Sequence, residues 1–188
     1  NDISKMIHEE DGLHPTTTAL AGLGEDTYSL IQTRAPDLDF LSTQVYGMLT
    51  VLHEHVASIG VEMPIMVTEW GTVGHWELPQ TDWGAPLELT STEKAAHYLK
   101  GYELAIAPFP DQVLGSFVFL WGQKQERTPT WYGMFTLNGE VTEPVDAAQK
   151  LWSGQWPENR APYIDGLFLD DQAASESVLL QPGADYPI

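Results

Sequence analysis

The chain alternates between short apolar runs and longer segments in which apolar residues recur every three to four positions. Runs rich in β-branched, aromatic or small residues predict four strands, at residues 16–22, 38–46, 64–71 and 113–121. Segments with helical spacing follow these strands and predict helices, at residues 25–33, 48–59, 90–106 and 145–152. A short polar helix ends at residue 10, so the predicted order is one helix followed by four strand–helix units.

This order predicts an α/β fold. Near-continuous apolar strands that alternate with amphipathic helices are typical of a parallel sheet covered on its outer face. A doubly wound sheet, with helices on both faces, stays open as an alternative. After residue 156 the strand–helix alternation stops, and the sequence contains several prolines and two short β-like runs, at residues 163–169 and 177–180. We therefore predict one domain over residues 1–156, and a linker with the start of a β-type domain over residues 157–188.

The net charge of the chain argues against two classes of binding partner. The 188 residues carry 8 Lys and Arg against 27 Asp and Glu, a formal net charge of −19, which repels phosphate backbones and anionic lipids. Nucleic acid and membrane partners are therefore not expected, whereas a neutral glycan is compatible with this surface. There is no cysteine, no glycine-rich phosphate loop and no Cys/His zinc spacing, so no metal and no cofactor is expected.

Candidate chemistry follows the ends of the predicted strands, where functional residues of parallel α/β folds lie. Gln44 and Tyr46 end the second strand, Glu69 and Trp70 the third, and Trp121 the fourth. A carboxylate can act as nucleophile or base, a phenol can donate a hydrogen bond to it, and indole rings can stack on sugars. Each of these residues also has a plainer explanation, since a strand-end carboxylate can simply face solvent and indoles often edge a core.

Two long loops add further candidates. The segment 72–89 carries His75, Trp76 and Trp83, and the segment 122–144 carries Trp131. Loops of this length are often functional, so we expect these four side chains to contact substrate. A charged group in the second loop is expected to be solvated; it consists of Lys124, Glu126 and Arg127.

Several of these stretches resemble the clan of retaining glycoside hydrolases built on the (β/α)8 barrel. The sequence PIMVTEWG at residues 64–71 resembles the seventh strand of that clan, whose terminal Glu is the nucleophile. QVYG at 44–47 is similar to the sixth strand, and FVFLW at 117–121 resembles the eighth. WYGMF at 131–135, with TEPV at 142–145, is similar to barrel ends of β-galactosidase, β-glucuronidase and β-glucan-active enzymes.

The resemblance implies that residues 1–156 are the C-terminal half of such a barrel, strands five to eight. Glu69 would be the nucleophile, Tyr46 would orient it, and Trp121 would floor the subsite where cleavage occurs. The other strand-end and loop residues would build neighbouring subsites; they are Gln44, Trp70, His75, Trp76, Trp83 and Trp131. The reaction would be hydrolysis of a β-glycosidic bond with retention, on a neutral, β-glucan-like chain, in a secreted or periplasmic bacterial protein.

The sequence departs from the clan in one respect. There, the acid/base Glu ends strand four after an Asn, and no such strand occurs before residue 16. We therefore expect little or no hydrolysis from this chain alone, and either a missing N-terminal half or a homodimer in which two half-barrels close around each other. The alternative function is a non-catalytic carbohydrate-binding or structural half-barrel that self-associates.

Overall fold

A computed structural model describes residues 1–163, 165–173, 176 and 178–186. The chain divides into two compact units. The first unit comprises residues 1–71 and 100–119, and the second comprises residues 72–99 and 120–188.

The first unit is built on a four-stranded parallel sheet. Its strands, in chain order, are β1 (Ala19–Leu20), β2 (Leu41–Gln44), β3 (Ile65–Trp70) and β4 (Val113–Val118). The spatial order is also β1-β2-β3-β4, and every neighbouring pair is parallel. A doubly wound sheet reverses its strand order at a switch point. The unbroken order therefore argues against that alternative and is consistent with part of a (β/α)8 barrel.

Helices lie before and between these strands, close to the positions that the apolar spacing predicts. They are α1 (Asp2–Glu10), α2 (Glu25–Arg34), a 3₁₀ turn (Gly47–Val51) continued by α3 (Leu52–Ser58), and α4 (Ser91–Ala105). The helix predicted over 48–59 is thus only half α-helical. The last residues of α4 belong to the first unit and its beginning to the second.

The core of the first unit consists of the apolar positions that defined the strands and helices. Leu41, Ile65 and Val67 on the strands, and Val56 on α3, have no solvent exposure. Burial of each such side chain stabilises the fold by roughly 1.5–3 kcal/mol. These residues fix the sheet rigidly enough to hold the side chains at its carboxyl end.

The second unit contains the start of α4, the helix α5 (Glu143–Ser153) and a small hairpin, β5 (Phe168–Leu169) with β6 (Gln172–Ala173). Helix α5 has Pro144 in its first turn. It is followed by Gly154, whose φ of 76° is left-handed, as the sequence signals predict. The core of the second unit includes Tyr98, Trp131, Met134 and Ala147.

The small hairpin of the C-terminal part closes in a tight turn. Asp170 and Asp171 both have positive φ, at 51° and 61°, and form the turn between β5 and β6, so they are turn formers. Among the described residues of the first predicted β-like run, which are 163 and 165–169, those in a strand are 168–169. The second run includes Ser177, which lies outside the described residues, and residues 178–180 form no strand. A domain boundary at residue 156 stays a prediction.

Candidate active site

Glu69 lies at the carboxyl edge of the sheet of the first unit. Strand β2 ends at Gln44 and β3 at Trp70, and since the strands are parallel these ends meet at one edge. Gln44 is the register partner of Glu69, and the Val45 N–H donates to the Glu69 carbonyl at 2.9 Å. The register between the two strands shifts between Thr43 and Gln44. The structure thus brings Gln44 beside Glu69.

The Glu69 carboxylate is half-buried at this edge. It makes no hydrogen bond or ion pair with any residue in the described part of the chain. A half-buried carboxylate whose oxygens are not already engaged can accept a hydroxyl group or attack an electrophilic carbon. This is the chemical property that a nucleophile requires.

Tyr46 lies two residues beyond β2, just before the 3₁₀ turn. Its ring contacts Phe119 edge-on, with 6.4 Å between centroids and an interplanar angle of 88°. Phe119 follows β4, and its N–H donates to the Trp70 carbonyl at 2.7 Å. Tyr46 and Phe119 therefore belong to the same edge of the sheet as Glu69. Phe119 was not singled out from the sequence, because the strand was predicted to run to residue 121 and the structure ends it at Val118.

Trp70 is not a sugar platform. It has 0% exposure, and its ring lies 6.0 Å from that of Tyr102 on α4. Successive side chains of a strand point to opposite faces, so Trp70 and Glu69 cannot both face a ligand. The prediction that Trp70 contacts substrate is wrong for this physical reason.

Trp131 is buried as well, in the second unit. Its exposure is 1%, and its indole N–H donates to the Val73 carbonyl at 3.1 Å. An indole that is covered and whose single donor is satisfied is part of a core. The prediction that Trp131 lines a subsite is therefore also wrong.

The other three indoles predicted to contact substrate, all in the second unit, are exposed. Trp76, Trp83 and Trp121 have exposures of 60%, 61% and 61%. Trp121 lies three residues beyond the end of β4, rather than at its last position as predicted, and contacts Phe135 edge-on at 4.9 Å. Trp83 occupies the tip of a small hairpin that is closed by the Gln80–Pro86 bridge. Their roles in substrate binding stay predictions.

His75 is half-buried and contacts two indoles of the second unit. Its ring contacts Trp76 and Trp131 edge-on, at 4.9 and 6.0 Å between centroids. Its Nε2 lies 3.9 Å from Oε1 of Glu126, whose other oxygen accepts from the Lys124 ammonium at 2.6 Å. The predicted charged group is thus a partly exposed network that includes His75.

A buried ion pair, missed from the sequence, joins the two long loops of the second unit. Lys94 on α4 pairs with Glu88 and also donates to the Thr130 carbonyl at 2.6 Å, and Glu88 accepts from the hydroxyl of Thr128. Burial alone raises the pKa of the Glu88 carboxyl, but the hydrogen bonds from Lys94 and Thr128 hold this pKa below its usual value. The pair was not anticipated, since charged residues are rarely buried.

The described residues contain neither a candidate metal cluster nor a candidate membrane-spanning helix. Across the described residues, no three His, Asp or Glu side chains converge in a way that could hold a metal ion. None of the helices in that same part of the chain combines the length and the apolarity needed to cross a bilayer.

Comparisons with known proteins extend the fold assignment. No family model and no curated protein sequence matches the chain. The structure is similar to a calcium-binding mutant of Bacteroides uniformis β-glucuronidase 2, with a TM-score of 0.50 and 14% identity, over 74% of this chain and 17% of that one. It is also similar to an endo-1,4-β-xylanase from Caldicellulosiruptor owensensis, with a TM-score of 0.52 and 17% identity, over 74% of this chain and 50% of that one. The chain thus spans half or less of these proteins, and its fold is like that of part of a glycoside hydrolase.

Proposed function

We propose that this chain belongs to a retaining glycoside hydrolase that cleaves β-glycosidic bonds of a neutral glycan, with Glu69 as nucleophile. One observation carries the proposal. A half-buried carboxylate with no partner among the described residues lies at the carboxyl edge of a parallel sheet, in a fold like that of glycoside hydrolases. The likeness in fold alone would not support it.

The proposed reaction has two displacements. The Glu69 carboxylate attacks the anomeric carbon, the bond to the leaving oxygen breaks, and a carboxylic acid about 5 Å away protonates that oxygen. The same acid/base carboxyl group, now a carboxylate, then takes a proton from water, which attacks the anomeric carbon from the face that the leaving group left. The bond to Glu69 breaks, so the product keeps the starting configuration and Glu69 is released as carboxylate. The sequence offers no candidate for the acid, which would come from another polypeptide segment or a second copy of the chain.

Two neighbours of Glu69 act on the nucleophile in this scheme. Tyr46 is the proposed positioning residue: its hydroxyl, which does not bond to Glu69 in this structure, would donate to the carboxylate once substrate is bound, and Gln44, directly opposite in register, would bind a substrate hydroxyl. Phe119 packs edge-on against Tyr46 and limits the rotation of its ring.

The second unit offers exposed indoles for sugar binding. Trp121, Trp76 and Trp83 offer apolar faces to sugar rings, and His75 adds a polar edge. A net charge of −19 disfavours a polyuronate, because a chain of carboxylates would meet like charge throughout its approach. We therefore propose an uncharged β-linked substrate.

Covalent labelling tests the proposal. A 2-deoxy-2-fluoro β-glycoside with a dinitrophenolate leaving group needs no acid catalyst, so it should glycosylate Glu69 even where the acid is lacking. Intact-mass spectrometry should show one adduct, and peptide mapping should place it on Glu69. Glu69→Gln should abolish the adduct, whereas Glu54→Gln, at an exposed position on α3, should leave it unchanged.

The alternative is a carbohydrate-binding module without chemistry, which the three exposed loop indoles favour because they can bind sugars without Glu69. Glycan binding with no adduct on any carboxylate would support that alternative and contradict the catalytic proposal.

A further inference from the structure

Trp76 rests directly on the backbone of Gly74. A Cβ placed on Gly74 would lie only 2.6 Å from both Cε2 and Cζ2 of the indole, and 2.9 Å from Oε2 of Glu77. Real Cβ atoms do not approach other atoms so closely, so any side chain at residue 74 would displace the ring. The absence of a side chain there is what allows the indole to occupy this place.

The backbone around this contact is held by hydrogen bonds on both sides. The Gly74 N–H donates to Oε2 of Glu77 at 2.7 Å, and the Glu77 N–H donates to the Gly74 carbonyl at 2.9 Å. The N–H of His75 donates to the hydroxyl of buried Tyr132 at 3.3 Å. The loop segment that carries Trp76 is therefore ordered by contacts inside the second unit.

The exposure of Trp76 is not explained by packing. Trp131 is covered and its N–H is satisfied by a backbone carbonyl, whereas 60% of Trp76 is in solvent although its position is fixed. Holding a large apolar ring rigidly in water forgoes the stabilisation that burial would give. A binding surface gains from that arrangement, because a ring that is already ordered loses less entropy when a ligand stacks on it.

We propose that Trp76 is a stacking subsite for the apolar face of an uncharged pyranose ring, and that Gly74 and Glu77 are its positioning residues. The inference rests on the proposed carbohydrate function, but not on any chemistry at Glu69. His75, edge-on to the indole, provides a polar rim through its contact with Glu126. Two carboxylates near the ring, Glu77 and Glu126, disfavour a uronic acid in this subsite.

Binding to the full 188-residue chain carrying Glu69→Gln, which removes turnover, tests the inference. Calorimetric titrations with xylohexaose, cellohexaose and laminarihexaose should identify at least one β-linked ligand. In that background Trp76→Ala should weaken its binding about tenfold, as expected for loss of one stacked ring. Gly74→Ala should weaken it about fivefold, and Glu77→Gln, which keeps an acceptor oxygen, should weaken it less than Glu77→Ala.

A spectroscopic readout separates displacement of the indole from unfolding. With 5-fluorotryptophan incorporated, the ¹⁹F resonance missing in Trp76→Phe belongs to Trp76, and Gly74→Ala should shift that resonance more than any other. Gly24→Ala is the matched glycine control, since a Cβ there meets no atom within 4 Å, and Trp152→Ala is the control for removing an exposed indole. Neither control should change binding.

The inference would be overturned if none of the three hexasaccharides bound, or if Trp76→Ala bound as tightly as its parent. These outcomes are distinct from failure of the catalytic proposal. Loss of binding in Trp76→Ala without covalent labelling of Glu69 would leave the subsite standing and remove the nucleophile, and labelling with unchanged Trp76→Ala binding would do the reverse.

Discussion

Glu69 lies between Thr68 and Trp70 on β3, and the alternation of side chains along the strand decides what each of them reaches. Trp70 turns to the side of Tyr102 and is fully buried, while Glu69 stays half-buried beside Gln44 on the neighbouring strand. The Thr68 hydroxyl donates to the Thr43 carbonyl at 3.4 Å, a weak bond that links the two strands. The carboxylate is thereby presented by a rigid strand rather than by a loop.

Tyr46→Phe tests the residue proposed to position the nucleophile. The substitution keeps the ring and its contact with Phe119 but removes the hydroxyl. Because a hydrogen bond to a charged group contributes about 1.5–3 kcal/mol, we expect labelling of Glu69 to slow by roughly 10- to 100-fold. Mass spectrometry of samples quenched at successive times measures the rate of labelling. Tyr163→Phe, at an exposed position, should label at the parent rate, and an unchanged rate in Tyr46→Phe would contradict the role.

Part of this residue-level account could be predicted from the sequence. The order of Gln44, Tyr46 and Glu69 at successive strand ends follows from parallel topology, and the structure brings the first and last into register. The burial of Trp70 was also implicit, because adjacent strand positions face opposite ways. The burial of Trp131 could not be predicted, since its indole N–H is satisfied by the carbonyl of Val73, which lies 58 residues away in the chain.

At the scale of elements, the Lys94–Glu88 pair connects the start of α4 to both long loops of the second unit. Burial lowers the pKa of the Lys94 ammonium, and its attraction to Glu88 only partly offsets this effect. The pair is thus costly to assemble and costly to break.

Lys94→Met should destabilise the protein by about 2–4 kcal/mol, because Glu88 would remain partly buried without its cation. Urea unfolding followed by circular dichroism measures the loss. The double variant Lys94→Met with Glu88→Leu should recover much of the lost stability, since no uncompensated charge remains. Lys100→Met, at an exposed position on the same helix, is the control. A loss no larger than that of the control would refute the role given to this pair.

Asp39 organises the opposite, amino end of the first two strands. Its Oδ2 accepts from the Thr16 N–H at 2.6 Å, from Nε2 of His8 at 2.8 Å and from the Thr16 hydroxyl at 3.1 Å. The backbone hydrogen bond of Thr16, followed by that of His8, lowers the pKa of the Asp39 carboxyl below its ordinary value of 3.8. The carboxylate form is therefore favoured by folding.

This shift predicts a pH dependence of stability. A carboxyl whose pKa is lower in the folded state stabilises the fold above its unfolded value of 3.8, and the contribution is lost as the pH falls through the folded value. Asp39→Asn should therefore lower Tm at pH 6, and the difference from the parent should narrow below about pH 4. Asp111→Asn is the control, and a difference independent of pH would be inconsistent with the expectation.

The elements themselves were predicted where local signals agree. Helix α2 and strand β3 lie within one or two residues of their predicted bounds. Strand β1 has two residues, fewer than predicted. Thr17, which precedes it, donates its hydroxyl to the Phe40 carbonyl and does not extend the backbone ladder between β1 and β2. Strand β4 ends three residues early, and the Leu120 N–H instead donates to the Tyr132 carbonyl. Such long-range bonds are not visible in local periodicity.

At the scale of the whole molecule, the sheet of the first unit ends in two outer strands among the described residues, β1 and β4. Leu114 and Phe117 on β4 are exposed apolar side chains beside that edge. Exposed edges and apolar side chains favour association, while a net charge of −19 opposes it. We therefore propose a homodimer whose stability depends on salt.

Sedimentation velocity tests this proposal. At micromolar concentration the chain should sediment as a dimer, with a fraction that rises between 50 and 500 mM NaCl because salt screens the like charges (Debye lengths of roughly 14 and 4 Å). Phe117→Lys should shift the chain to monomer, and Leu137→Lys, at an exposed loop position, should not. A monomer at both salt concentrations would contradict the proposal.

Chemical rescue tests the central claim, that Glu69 is the nucleophile, most directly. Glu69→Ala should be inactive on a dinitrophenyl β-glycoside, and added azide should restore turnover by attacking the anomeric carbon in the space vacated by the carboxylate. Proton NMR of the product should show the α-glycosyl azide, because one displacement inverts the centre. A β-glycosyl azide would assign Glu69 the acid/base role instead, and activity in Glu69→Ala without azide would remove it from the reaction.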